Sequence, residues 1–459
     1  MKEYSEFLDK KQLLVEPSGF IPTLEFNENL YEWQKDIVKW ALIRGKACLF
    51  EDCGLGKTIQ QLEWAFHVHK FTKKPILIVA PLAVNLQTQK EGDKFGYSVN
   101  LAESKEGVVN GINITNYEKI HLFDCSVFGG VVLDESSILK NFSGYYRNLI
   151  IESFKGTPYK LACTATPAPN DYMELGSHSE FIGAMTSQEM LAMFFINDMS
   201  GVGEWRLKKH AKEVEFWQWV CSWACTLSTP SDLGYDDKDF ILPELRYHEV
   251  ILPAVGTPAF GFFALPAQTM DERRKVRKES ITERCEKAAE IINITDSQWI
   301  VWCGLNTESE LLTKLIENST QVTGSDKNDY KANTMLGFSK GEVQRIITKP
   351  KIAGFGMNWQ NCNKMAFVGL SDSWEQLYQA VRRSYRFGQT RPVDVYIIIE
   401  EREGKVLANI KRKDKQAKHM IDSMVKYTAE ILQKELKNNK TKKQWNEKTM
   451  ELPKWILEN

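Results

Sequence analysis

Glu51-Asp52-Cys53-Gly54-Leu55-Gly56-Lys57-Thr58 stands between an apolar run and a segment with helical periodicity. Glycines in such a loop let successive backbone N–H groups approach a polyphosphate, and the following helix adds the positive end of its dipole. On that chemistry Gly54, Leu55 and Gly56 cradle phosphate, Lys57 neutralises the β- and γ-phosphates, and the Thr58 hydroxyl ligates magnesium. The first glycine of the general pattern is missing, because Glu51 occupies its place.

A second stretch, Val131-Val132-Leu133-Asp134-Glu135-Ser136-Ser137, ends an apolar strand in two carboxylates. Asp134 suits a magnesium ion held through water, and Glu135 can orient and activate an attacking water. A third lies far downstream: Gln379-Ala380-Val381-Arg382-Arg383-Ser384-Tyr385-Arg386-Phe387-Gly388-Gln389. Arg383 and Arg386 are three apart, a spacing that predicts one face of a helix. Two guanidinium groups there can grip γ-phosphate oxygens and the charge that develops during transfer.

These groups need rigid elements to hold them. The chain of 459 residues is long enough for two or three domains. Its net charge of -1 does not advertise a nucleic-acid partner, so any basic surface must be local. Nine cysteines are scattered without CxxC pairing, which suits a reducing, cytoplasmic setting rather than a zinc site. No apolar run is long enough for a membrane span, so no membrane partner is expected.

Short β-branched runs predict buried parallel strands at 47–51, 75–80, 111–115, 130–134 and 159–163. A second set begins at 298–303 and continues at 343–347, 365–368 and 393–399. Helical patterns alternate with them, which makes the chain α/β with two doubly wound lobes. The expected division is an N-terminal extension (1–24), a first lobe (25–170), a helical insertion (171–250), a connection with a leading helix (251–293), a second lobe (294–400) and a basic helical tail (401–459). Trp205, Trp217, Trp219 and Trp223 read as the core of the insertion, with a base-stacking platform as the alternative. Lys411, Arg412, Lys413, Lys415 and Lys418, then Lys437, Lys440, Lys442 and Lys443, read as a solvated face or a DNA-contacting strip.

With these motifs in order, residues 25 to 400 resemble the superfamily 2 helicases, and within them the Swi/Snf-type DNA translocases. The resemblance implies two tandem RecA-like lobes, a helical insertion and a helical tail. It implies that Gln34, in Tyr31-Glu32-Trp33-Gln34, reads adenine beside Tyr31, and that Gln379 faces the nucleotide. Pro81 and Leu82, with Thr115 and Asn116, are similar to motifs that touch the nucleic-acid backbone. Thr164-Ala165-Thr166-Pro167 with Asn170 resembles the motif that couples hydrolysis to lobe movement. Gly354, Gly356 and Asn358 resemble one lying between nucleotide and DNA, and Trp302-Cys303 ends a strand like that of motif IV.

The implied activity is a nucleic-acid-stimulated ATPase using ATP and Mg2+ to translocate on duplex DNA with little sequence preference. The alternatives are a strand-separating DNA or RNA helicase and a nucleotide-gated DNA-binding scaffold without turnover. The chain departs from the family where Ser137 replaces the usual histidine of the acidic box, and where a tryptophan is missing around Asn85 to Lys90. Its compact plan is similar to motors of phages and mobile elements. Protein partners are left open.

Overall fold

The computed structural model describes residues 14–141, 144–198, 204–254, 269–353 and 357–438. The chain opens with α1 (Glu32–Arg44), β1 (Lys46–Glu51), α2 (Lys57–Thr72), β2 (Ile76–Ala80), α3 (Leu82–Phe95) and β3 (Val99–Leu101). It continues with β4 (Ile112–Asn116), β5 (Gly130–Asp134), α4 (Tyr145–Ser153), β6 (Tyr159–Cys163), α5 (Leu175–Ile182), α6 (Ser187–Phe194), β7 (Phe195–Asp198), β8 (Glu204–Leu207), α7 (Ala211–Cys221) and β9 (Ala224–Leu227). Then come β10 (Leu245–Leu252), α8 (Met270–Glu279), α9 (Ile281–Asn293), β11 (Trp299–Cys303), α10 (Asn306–Leu315), β12 (Ser319–Gln321) and α11 (Asn328–Lys340). The last are β13 (Arg345–Thr348), α12 (Pro350–Ala353), β14 (Lys364–Val368), α13 (Trp374–Val381), β15 (Val393–Glu400) and α14 (Gly404–Asn438).

Two sheets organise these elements. The first has the order β3-β4-β2-β5-β6-β1-β9, the second β10-β15-β14-β11-β13-β12, and every pairing within them is parallel. Parallel sheets need cover on both faces, which is why their central strands are uninterrupted apolar runs. Ile76 to Ala80 are all fully buried, with Ile78 and Ala80 in one core and Leu77 and Val79 in the other. Trp302 and Val301 divide the second sheet's two faces in the same way. The molecule is therefore α/β, with two parallel-sheet lobes flanked by helices.

The segment expected as a helical insertion is mixed. Helices α5, α6 and α7 carry an aromatic core in which Trp217, Trp219 and Trp223 are buried, and Trp205 packs beside them. That leaves no platform for bases there. However, β7 and β8 form an antiparallel pair, β9 completes the first sheet beside β1, and β10 opens the second beside β15. Four buried residues, Ala224-Cys225-Thr226-Leu227, directly follow a tryptophan-rich helix, and so short a run has no period of its own. Strand β10 mixes half-buried and exposed residues because it lies at a sheet edge.

The described part of the tail is dominated by one helix of 35 residues, about 50 Å long at 1.5 Å per residue. Its first turns place Val406, Leu407, Ile410 and Ala417 in the core of the second lobe. Further along, Met420, Met424 and Leu432 enter the cores of the first. Lys411 pairs with Glu249, Lys413 donates to Asn170, and Lys418 pairs with Asp414, so several tail lysines serve the protein itself. Lys440, Lys442 and Lys443 lie outside the described residues. No described helix is long and apolar enough to cross a membrane.

Candidate active site between the two lobes

The phosphate-type loop leaves β1 at Glu51 and enters α2 at Lys57, so it lies at the carboxyl edge of the first sheet, where α/β folds bind ligands. Gly54 and Gly56 adopt left-handed φ values of 93° and 74°. A Cβ on Gly56 would sit 2.6 Å from Gln34 Nε2, so only glycine admits that close approach. Gln34 itself is almost wholly buried. Its Nε2 donates to Leu55 O at 2.9 Å, and its Oε1 accepts from Tyr31 N at 3.0 Å. Gln34 thus braces the loop from behind, while the Tyr31 ring stays exposed against Phe240. Lys57 Nζ donates to the carbonyls of Glu51 and Asp52 at 2.8 and 3.0 Å. Thr58 follows in the first turn of α2, half-buried.

Glu51, standing where a glycine is usual, is fully buried and accepts from Gln60 Nε2 at 2.8 Å. Burial pushes its carboxyl up to about 7, against the pull of Lys57.

The acidic pair ends β5 two strands away. Asp134 accepts from Gln61 Nε2 at 2.7 Å, and its backbone carbonyl accepts from the Tyr117 hydroxyl. Neither partner was legible in the acidic motif itself; only the position of Gln61 one turn beyond Lys57 hints at its reach. Glu135 takes a left-handed φ of 52°, costly for a side chain with a Cβ. Its Oε2 is buried without a hydrogen-bond partner. Burial, then the adjacent Asp134 charge, raises Glu135 to about 7, and burial raises Asp134 as well.

The second lobe contributes its arginines from beyond a helix, not along one. α13 stops at Val381, and Arg383 and Arg386 lie in the turns that follow, which corrects the one-face expectation. The Arg383 carbonyl accepts from Trp359 N at 2.9 Å, and the Arg383 and Ser384 amides bond back to the third preceding carbonyl; both pull the chain out of the α-helix. The two guanidinium groups still converge, since both donate to Met357 O, at 3.1 and 3.5 Å. Arg383 also donates to Gln379 Oε1 at 3.1 Å, while Gln379 Nε2 is buried without a partner. Burial, and the like charge of Arg386, lower the Arg383 pKa. Among the described residues neither Arg383 nor Arg386 forms an ion pair.

The halves meet at the phosphate-type loop. A Cβ on Gly54 would lie 2.9 Å from Phe387 N, so the turn after Arg386 rests on the loop. Asp52 pairs with Arg382 and accepts from the Tyr378 hydroxyl, and Cys53 Sγ lies 4.0 Å from Gln379 Oε1. Thr166 Oγ1 donates to Glu375 Oε1 at 3.3 Å, and Lys140 pairs with the same carboxylate. A space of about 390 Å³ remains between Gly54, Leu55, Phe240, Tyr385 and Phe387. Arg382, Glu375 and Lys140 went unread in the sequence because only the packed lobes bring them together.

Other expected site residues are placed less directly. Pro81 and Leu82 begin α3, and Leu82 is exposed. Thr115 is buried, and the Cys303 thiol is buried and donates to Thr348 O while lining the cleft at the carboxyl ends of β11, β13 and β14. Asn116 caps the turn at Lys119 N and is nearly buried. Asn358 is exposed, whereas Gly354 and Gly356 lie outside the described residues.

Residues 283–388 match the family model described as the helicase conserved C-terminal domain. YwqA of Bacillus subtilis, whose name assigns it to the ATP-dependent helicases/translocases, is 23% identical over 445 residues, which cover 82% of this chain and 46% of that protein. The SWI/SNF-related regulator of chromatin subfamily A-like protein 1 of Xenopus laevis is 30% identical over 159 residues, 32% of this chain and 16% of its own length. The chain is thus similar to ATP-dependent helicases and translocases, SWI/SNF-related proteins among them. The solved SWI2/SNF2 ATPase core of Sulfolobus solfataricus in complex with dsDNA aligns over 92% of this chain and 97% of its own, at 19% identity and a TM-score of 0.41. The chain spans less than half the length of YwqA.

Beside the acidic pair, Ser136 meets a histidine from another element. His178 of α5 is fully buried, 3.0 Å from the Ser136 hydroxyl, with its ring edge-on to Phe50. Burial lowers its pKa to about 4, so it is neutral at physiological pH. His178 lies more than forty positions from the box, beyond the reach of a motif.

Proposed function

We propose that the chain is an ATP-dependent motor that hydrolyses ATP between its lobes and translocates on duplex DNA. The observation that carries this reading is the contact of the Arg386–Phe387 turn with the phosphate-type loop, 333 positions of sequence away by the numbering of Gly54 and Phe387. In this reading Lys57 and the amides of Gly54 to Thr58 hold the β- and γ-phosphates. The base enters beside Tyr31, Gln34 and Phe240. Glu135 orients the attacking water and takes its proton, which suits a carboxyl poised near neutrality. Arg383 and Arg386, which form no ion pair among the described residues, meet the charge that develops on the transferred phosphoryl group.

Magnesium fits the first lobe's half. Thr58 and Asp134 offer hard oxygen donors, and Glu135 Oε2 is orphaned nearby. No cluster of three His, Cys, Asp or Glu side chains gathers among the described residues, in keeping with an ion that shares its shell with phosphate and water. When bound, the ion would neutralise phosphate charge. Loss of the γ-phosphate removes what both lobes grip, and the lobes separate.

The track for DNA is a cleft of about 320 Å³ at the carboxyl ends of β11, β13 and β14, rimmed by Arg277, Gly304, Lys349, Lys351 and Ser371. Lysines and an arginine there suit phosphate oxygens, which position a protein on DNA without reading sequence. The test is ATP hydrolysis with no nucleic acid, single-stranded DNA, duplex DNA or RNA. Strong stimulation by duplex DNA is expected, weakening as salt rises. Stimulation by RNA alone would overturn the reading, and no turnover under any condition would leave a binding scaffold.

A further inference from the structure

Three arginines follow one another within five positions at the end of α13, and they are not equivalent. Among the described residues Arg383 and Arg386 donate to backbone carbonyls and to the Gln379 amide. Arg382 instead crosses to the other lobe and pairs with Asp52, whose carboxylate also accepts from Tyr378 and from Cys53 N. The pair is largely sheltered, with 12% and 18% of the two side chains exposed. Burial alone would weaken the Arg382 charge, but Asp52 and Tyr378 outweigh it and hold the guanidinium above its usual pKa.

The opposite end of α13 is tied down with the reverse polarity. Glu375, in the first turn, accepts from Thr166 and pairs with Lys140, both from the first lobe. Glu375 and Arg382 are seven positions apart, roughly 10 Å along a helix. One short helix thus presents an acidic end to a basic partner and a basic end to an acidic partner. Shifting or inverting α13 would set like charges together, so the two pairs define a single register.

We infer that Arg382 is a positioning residue: with Asp52 and Tyr378 it forms an interlobe latch that sets the register in which Arg383 and Arg386 face the phosphate-type loop. Arg382 spends its charge on the protein, and so leaves its two neighbours free for phosphate. A buried pair of this kind contributes specificity of arrangement more than stability, because desolvation offsets much of its attraction. The inference rests on the two-lobe ATPase reading proposed above and deepens it.

The test combines an interlobe distance with kinetics. Spin labels carried by unnatural amino acids at Lys105 and Tyr330, both exposed, report lobe separation by pulsed EPR. Arg382→Ala is expected to lengthen or broaden that distance and to lower DNA-stimulated kcat by about tenfold, a coupling change of about 1.4 kcal/mol. ADP affinity, carried by the first lobe, should stay within about twofold. Asp52→Lys alone should behave in the same way, and the charge-swapped double variant Asp52→Lys/Arg382→Glu should recover both distance and kcat. If the swap does not fold, Tyr378→Phe supplies the second test, with a smaller change in the same direction. An unchanged distance in Arg382→Ala overturns the latch. So does a folded swap that fails to recover while Arg382→Lys retains full turnover, since Arg382 would then serve phosphate directly. If the wild-type chain hydrolyses no ATP, the proposed function fails, whereas the distance measurement still decides the latch.

Discussion

The two halves of the site are built on opposite plans. In the first lobe nearly every functional group is already engaged: Lys57 with two carbonyls, Gln34 with Leu55, Gln60 with Glu51, and Gln61 with Asp134. In the second lobe Arg383 and Arg386 donate to backbone carbonyls and to Gln379, and neither forms an ion pair among the described residues. A phosphate loop can be rigid beforehand because nucleotide binds to its backbone. Guanidinium groups that act on a transient charge gain most if they are held in place but left unmatched. In the proposed reading the first lobe holds the nucleotide and the base Glu135, and the second adds the groups that meet the developing charge.

That contrast can be broken from either side. Glu135→Gln removes the base while keeping the shape of the carboxyl, and turnover should fall by about 10² to 10⁴ with nucleotide binding retained. In the wild type, Glu135 accepts a proton only when ionised, so the rate should climb as pH rises through about 7 and flatten above it. A rate independent of pH within about one unit either side of 7 would remove Glu135 from that role. Met424→Ala acts outside the cleft. It cuts the fully buried anchor that fixes the tail helix to the first lobe, and about 2 to 5 kcal/mol of stability should be lost in chemical denaturation. A loss below about 1 kcal/mol would mean that the helix spans the lobes without holding them.

Gly56→Ala sharpens the comparison at the loop. The left-handed backbone and the Gln34 amide both resist a Cβ, so about 1 to 3 kcal/mol of strain should appear as weaker nucleotide binding. Calorimetry with ADP measures it. A pH-dependent effect concerns His178. Its folded pKa of about 4 lies below the unfolded value of about 6.5, so the unfolded chain binds the extra proton in that window. The His178 contribution is complete above about pH 6.5 and is lost as pH falls towards 4. His178→Asn should flatten that part of the stability profile, and an unchanged profile would contradict the assignment.

Much of this arrangement was legible from sequence because parallel, doubly covered strands are uninterrupted apolar runs. Ile76 to Ala80 and Trp299 to Cys303 announce themselves in that way. The edge strands Val99–Leu101 and Ser319–Gln321 do not, since three residues have no period. β9 was hidden behind Trp223, and the region expected as an insertion therefore lost a strand to each sheet. At the site, the loop glycines and Lys57 follow from local spacing. The arginine geometry does not, because a long-range bond from Trp359 N ends the helical bonding just before Arg383. Gln61, His178, Glu375 and Arg382 join the site through tertiary packing alone.

The sharing of the proposed site between a lobe that holds the nucleotide and a lobe that supplies the arginines is tested most directly by comparing Lys57→Ala with Arg383→Ala, each assayed for ADP affinity and for duplex-stimulated ATP turnover. The expected result is that Lys57→Ala loses both. Arg383→Ala should keep wild-type ADP affinity while turnover falls by about 10³ or more. Wild-type turnover in Arg383→Ala would contradict a site shared between the lobes.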